Sequence, residues 1–184
     1  MQLHEDRLMP IDSATRKIAK RLYHEIKGLP IISPHGHTEA RWFAENKAFT
    51  DPVSLFLQPD HYLYRMLYSQ GITLEQLGIA GNDSQVVEQD KRKIWRLFCQ
   101  HYYLFRGTPS RIWLDHSLYE ICGISKTINR ENADAIYDEL LEKLHTPEFH
   151  PRALFQRFNI ELLATTESPL DENKYPWVKP HGIR

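Results

Sequence analysis

The sequence predicts an α/β fold in which a large helical segment interrupts the connection between two strands. Three observations carry this reading. Leu29-Pro30-Ile31-Ile32-Ser33-Pro34 is a short β-branched run bracketed by prolines, and residues 158–166 form a second apolar run of strand length. Between them apolar side chains recur at helical spacing, as in Trp95, Phe98, Tyr102 and Phe105, and again in Ala133, Ile136, Leu140, Leu141 and Leu144. Parallel strands need a crossover of only about a dozen residues, so residues from about 41 to 149 are expected to be a subdomain grafted onto the first strand-to-strand connection.

The elements follow in order. Asp12-Ser13 supplies a capping side chain, Ala14, Ile18, Leu22 and Ile26 make one apolar stripe, and Gly28 is a stop, which together predict an amphipathic helix with that stripe buried. The first strand follows, expected to be buried and to end in His35-Gly36-His37. Asp51-Pro52, Gln58-Pro59, Gly78, Gly81-Asn82-Asp83, Gly107-Thr108-Pro109-Ser110 and Thr146-Pro147 then divide the long segment into several packed helices. The second strand runs into the polar, turn-rich Glu167-Ser168-Pro169-Leu170-Asp171, and residues 172–184 have no period and read as an irregular tail. The sequence contains no internal repeat and no low-complexity segment.

Composition narrows the functional classes. Of 184 residues, 41% are hydrophobic, 26% charged and 11% aromatic, the proportions of a globular chain and not of a disordered or fibrous one. Lysine and arginine total 23 against 24 acidic residues, a net charge of −1, so there is no field to recruit nucleic acid or an anionic bilayer. Lys91-Arg92-Lys93 reads as a charged helix face. Cys99 and Cys122 form no Cys-x-x-Cys pair and are expected to be buried packing thiols. No apolar run reaches membrane-spanning length and the N-terminal stretch has no signal core, so a soluble, cytoplasmic protein is expected. Glycine-rich phosphate loops and the Gly-x-Ser-x-Gly elbow do not occur.

Two clusters could carry chemistry. Side chains two apart on a strand share a face, so His35 and His37 can offer two imidazoles to one ion, with Gly36 allowing close backbone approach. Their place at the carboxyl end of a strand is where ligands gather in parallel α/β folds. With ten histidines in the chain, a His-x-His is also expected by chance about half the time, and two ligands leave a third to be found. Pro59-Asp60-His61-Tyr62-Leu63-Tyr64-Arg65 gathers an acid, an imidazole, two phenols and a guanidinium. The plainer reading of that segment is a helix capped by Asp60, with Leu63, Met66 and Leu67 inward and His61 on the surface.

Taken together, the strings resemble the uronate (glucuronate) isomerases. The matching residues are Pro34-His35-Gly36-His37-Thr38, Arg41-Trp42-Phe43-Ala44, Pro59-Asp60-His61-Tyr62, and Arg65-Met66-Leu67-Tyr68-Ser69-Gln70-Gly71. Further matches are Phe105-Arg106-Gly107-Thr108-Pro109-Ser110-Arg111, Trp113-Leu114-Asp115-His116, Arg152-Ala153-Leu154-Phe155, and the run from Thr165 to Asp171. The resemblance, over roughly residues 8 to 171, implies the first two strands of a (β/α)8 TIM barrel of the metal-dependent hydrolase type, in the amidohydrolase superfamily, with the helical insert between them. It implies interconversion of D-glucuronate with D-fructuronate and of D-galacturonate with D-tagaturonate. It also implies a divalent metal, zinc or manganese, on His35 and His37, and a substrate-facing pair at His61 and Tyr62, with Tyr62 relaying a proton. The partner implied is a hexuronate sugar acid.

The family is more than twice this length. The resemblance places a third, carboxylate ligand and a sugar-acid-binding arginine beyond this chain, and the match ends at Asp171. Two other readings stand beside the isomerase: a non-catalytic helical remnant, and a metal-dependent amidohydrolase, since His-x-His serves both chemistries. The open edge of a two-stranded sheet further predicts self-association into a homo-oligomer.

Overall fold

The computed structural model describes residues 3–81 and 86–166. In chain order the elements are α1 (Ser13–Ile26), β1 (Ile31–Gly36), α2 (Ala40–Glu45), α3 (His61–Tyr68), α4 (Lys91–Gln100), α5 (Pro109–Asp115), α6 (Ala133–Leu144), α7 (Pro151–Arg157) and β2 (Ile160–Thr165). Wide π-helical turns occupy Val53–Leu57 and His116–Ile121. The chain divides into two compact units, Phe49–His145 in one, and His4–Ala48 with described residues 146–166 in the other. The segment 167–171 and the tail 172–184 lie outside the described residues.

The helical unit holds nearly all of the large buried side chains. Ile94, Trp95, Phe98, Tyr102 and Phe105 are at most 2% exposed, so the aromatic spacing expected of a packed helix is seen on α4 and the turn after it. From α6, Ala133, Ile136, Leu140 and Leu144 complete that core, while Leu141 is only half-buried. The Trp95 indole donates to the Ala133 carbonyl oxygen at 3.1 Å, so the ring that fills the core also satisfies its polar atom. Cys99 and Cys122 are buried, as expected of packing thiols, and neither is in a disulfide; burial pushes the Cys99 thiol well above its ordinary range.

Chain direction in this unit is set by the breaks read from sequence. Asp60, Asp90 and Thr108 cap α3, α4 and α5 with their side chains. Gly78 sits at φ +71°, and a Cβ there would stand 2.7 Å from Gln58 Nε2 and 2.8 Å from Ile94 Cδ1. Gln58 in turn donates to the carbonyls of Leu77 and Gly78 at 3.2 and 3.1 Å and accepts from Lys91 Nζ at 2.6 Å. Within the expected charged face, Arg92 pairs with Asp138 and Asp134, and Lys93 pairs with Glu88.

In the second unit β1 and β2 pair in parallel, with Ile31 opposite Ile160, Ile32 opposite Leu162 and Gly36 opposite Thr165. This is the α/β arrangement that the sequence predicted. The register is irregular between Ser33 and Gly36, where Pro34 has no amide hydrogen to give the ladder. Gly36 allows the close approach of β2, since a Cβ would stand 2.9 Å from Leu163 Cδ1 and 3.1 Å from the Ala164 carbonyl oxygen. Arg152 ties α7 to the end of α2. Its guanidinium donates to the carbonyls of Phe43 and Ala44 at 2.8 and 3.1 Å, and its amide donates to Asn46 Oδ1 at 3.0 Å.

Two expectations are corrected in this unit. Helix α1 starts at the expected Asp12 cap, whose carboxylate accepts from the Thr15 amide at 2.7 Å, but its stripe is not buried. Ile18, Leu22 and Ile26 are 53%, 60% and 58% exposed. The strand expected to be buried is exposed as well, with Ile31 and Ile32 at 49% and 62%. The reason is common to both: the pattern states what the side chains prefer, and no described element covers them.

Candidate functional site

His35 lies just before the end of β1, and His37 directly follows that strand. Alternation along the strand puts both rings on one side, and their Nε2 atoms converge to 3.0 Å, with ring centroids 4.9 Å apart in an edge-on arrangement. Such a contact needs a proton on one nitrogen and a lone pair on the other. Two imidazole ligands bound at ~2.1 Å and at right angles to one ion would also stand about 3.0 Å apart, so the pair fits two adjacent positions around a divalent cation. Both rings are exposed. Among the described residues no group of three His, Cys, Asp or Glu side chains is gathered to hold a metal. The local backbone is fixed by Ser33 Oγ donating to the His35 carbonyl at 3.2 Å and by the Thr166 amide donating to the Gly36 carbonyl at 3.0 Å.

His61 and Tyr62 open α3 in the helical unit. Asp60 Oδ1 accepts from the Tyr62 amide at 2.8 Å and from the Leu63 amide at 3.3 Å, which places both rings on the first turn. Leu63 and Leu67 are fully buried, so the inward face anchors the helix while His61 and Tyr62 stay exposed. Their ring centroids are 4.2 Å apart. The cap read from sequence is therefore present, and it is also what presents the pair outward. His35 and His37 belong to one unit, and His61 and Tyr62 belong to the other.

Sequence reading did not single out what lies beside Tyr62. Asp60, Tyr62, Pro109, Ser110 and Trp113 line a shallow groove of about 240 Å³. Trp113 is 45% exposed and packs edge-on against Phe56, at 6.2 Å between centroids. A tryptophan on a short helix gives no periodic signal that separates a groove wall from a core residue, so only the packing could find it.

Several residues in the matched strings prove to have structural partners. Arg111 Nε donates to both oxygens of Asp115 at 2.9 Å, the Tyr102 hydroxyl donates to Asp115 Oδ1 at 2.8 Å, and the guanidinium lies 4.0 Å above the Tyr102 ring. Burial, reinforced by the neighbouring Asp115 carboxylate, pushes the Tyr102 phenol well above its ordinary range. This knot holds α5, and with it Ser110 and Trp113, against the turn after α4.

The family described as glucuronate isomerase matches residues 7–178. A uronate isomerase of Rhizorhabdus wittichii is 57% identical over 171 residues, 93% of this chain and 35% of that protein. One of Brucella canis is 53% identical over 171 residues, 93% of this chain and 37% of the other. Among solved structures, glucuronate isomerase from Caulobacter crescentus superposes with a TM-score of 0.90 at 49% identity, over 99% of this chain and 38% of that one. Uronate isomerase from Thermotoga maritima gives 0.77 at 30% identity, over 98% and 37%. The chain thus spans little more than a third of the length of the relatives it matches.

Proposed function

The chain belongs to the glucuronate isomerase family, and from that premise we propose that it carries the first part of a hexuronate aldose–ketose isomerase. The fold reading that accompanies this is the first two strands of a (β/α)8 barrel, within residues 1–171, with residues of about 41–149 inserted between them and 172–184 as a tail. The substrates are D-glucuronate and D-galacturonate, with D-fructuronate and D-tagaturonate as products. The protein works in the cytoplasm and binds neither nucleic acid nor membrane. No helix among the described residues is long and apolar enough to cross a membrane.

The observation that carries the reading is the convergence of His35 and His37 Nε2 atoms to 3.0 Å at the end of β1. These two residues hold a divalent metal, zinc or manganese. When bound, that ion supplies a Lewis acid that polarises the sugar oxygens. Isomerisation removes the proton on C2 and returns one to C1, while the proton on O2 moves to O1. Tyr62 is assigned the relay between those oxygens: its hydroxyl gives its proton to one and takes the proton of the other. His61, stacked beside it, orients the substrate and the phenol. The Asp60 cap holds both rings on the first turn of α3, so their positions are set before substrate arrives.

Elemental analysis of the purified chain against His35→Ala/His37→Ala tests the metal assignment. Metal is expected in the first and lost in the second, held less tightly than in a site with three protein ligands; equal content would sink it. Incubation with D-glucuronate and divalent metal, followed by an assay for D-fructuronate, tests the reaction. Turnover far below that of a complete relative is expected, since misplacing catalytic groups by even about 1 Å can cost 10²-fold. Robust turnover by these 184 residues would show that no further ligand or arginine is needed.

A further inference from the structure

The groove beside Tyr62 has the chemistry that holds a sugar ring, and its parts all belong to the unit Phe49–His145. Trp113 and Tyr62 put two aromatic rings on its wall, 45% and 65% exposed. The electron-rich face of an aromatic ring attracts the polarised C–H groups along one side of a pyranose, while the hydroxyls of that pyranose need donors and acceptors around them. Such atoms line the groove. The hydroxyls of Tyr62 and Ser110 have no hydrogen-bond partner among the described residues, and Asp60 spends Oδ1 on two amides of α3, which leaves Oδ2 to accept. The walls are held in place before any ligand arrives: Tyr62 by the Asp60 cap, Trp113 by its edge-on contact with Phe56, and α5 by the Arg111–Asp115 pair.

We propose that Trp113, Ser110 and Asp60 extend the Tyr62 site into a subsite for the closed, pyranose form of the sugar, with the ring against the indole and its hydroxyls on Ser110 Oγ and Asp60 Oδ2. That the sugar is a hexuronate rests on the isomerase reading given above. That it is a single ring follows from size, since about 240 Å³ falls below the ~300–1,000 Å³ of pockets that enclose drug-sized ligands. The subsite reads the ring and not the acid. Its one charged group is Asp60, which repels a carboxylate, and the neighbouring Arg111 is taken up by both oxygens of Asp115. A hexuronate therefore sits with its carboxylate directed out of the groove. Proton transfer between C2 and C1 requires the open-chain sugar, so Trp113 acts ahead of the chemistry, as a positioning residue that captures the closed ring next to the Tyr62 phenol.

The test titrates the purified chain with methyl β-D-glucopyranoside and methyl β-D-glucuronide, whose locked rings neither open nor isomerise, and follows the tryptophan indole signals by nuclear magnetic resonance. The Trp113 signal, identified by its loss in Trp113→Phe, is expected to shift saturably with both glycosides at millimolar affinity, the glucoside binding at least as tightly. The buried Trp95 indole, bonded to Ala133, should not shift, and its unchanged signal in each variant verifies that the fold survives. Ser110→Ala should weaken binding about threefold, and Trp113→Ala, followed through the Tyr62 ring signals, about tenfold. Absence of a saturable shift at Trp113, equal affinity for cyclohexanol, which lacks the ring oxygen and the neighbouring hydroxyls, or binding of the glucuronide alone would each overturn the inference. Isomerisation of D-glucuronate without a shift at Trp113 removes the subsite and leaves the functional reading. Saturable glycoside binding with no metal on His35 and His37 and no turnover leaves the subsite standing and removes the functional reading.

Discussion

At the scale of single residues, the contacts that matter most are the ones that join distant positions. Gly78 combines φ +71° with three atoms within 2.9 Å of where a Cβ would sit. Gly78→Ala should therefore cost about 2 kcal/mol or more in chemical denaturation, adding left-handed strain to overpacking. Arg111→Ala leaves Asp115 with only the Tyr102 hydroxyl of that knot and should cost about 1–3 kcal/mol. Tyr102 gives a pH dependence. An unfolded phenol ionises near 10.0, whereas the folded one keeps its proton to higher pH because it is buried beside Asp115. Stability from this group is complete below about pH 10 and falls as pH rises above it, by about 1.4 kcal/mol per pH unit. Tyr102→Phe should flatten the alkaline limb of the stability profile by about that slope, which denaturation at pH 9, 10 and 11 would measure; an unchanged slope would refute the assignment.

At the scale of elements, α3 depends on its cap. Asp60 satisfies two amides of the first turn and so fixes where His61 and Tyr62 stand. Asp60→Ala should cost about 1 kcal/mol, read by thermal melting, and Asp60→Asn should recover most of it because its amide oxygen still caps. The α2–α7 junction follows a similar logic at a helix C-terminus. There Arg152 accepts the role of donor to otherwise unpaired carbonyls, and Asn46, at φ 50°, turns the chain.

For the whole molecule, stability is expected to be unevenly spread. The core lies in Phe49–His145, while α1 and the two strands carry exposed aliphatic side chains. Native-state hydrogen exchange should show the amides of α4 and α6 exchanging slower than those of α1, β1 and β2 by about 100-fold or more, because few buried contacts hold the latter closed. Equal protection in both groups would mean that the sheet unit is held by more than its own packing.

Local physics was legible in the sequence. The Asp12 and Asp60 caps, the break at Gly78, the aromatic row on α4 and the same-side histidines of β1 all follow from spacing over a few residues, which the backbone geometry converts directly into position. The parallel pairing of β1 with β2 was legible in outline, from two apolar runs and the helical stretch between them. What only the tertiary structure decided depends on residues far apart in the chain. The Tyr102–Asp115–Arg111 knot, the Arg152 clamp on α2 and the groove wall at Trp113 each require that packing first bring their elements together. Burial of α1 and β1 was misread for the same reason. An apolar stripe fixes which face seeks cover, but cover itself is a property of neighbours, and for Ile18, Leu22, Ile26, Ile31 and Ile32 the described chain supplies none that closes over them.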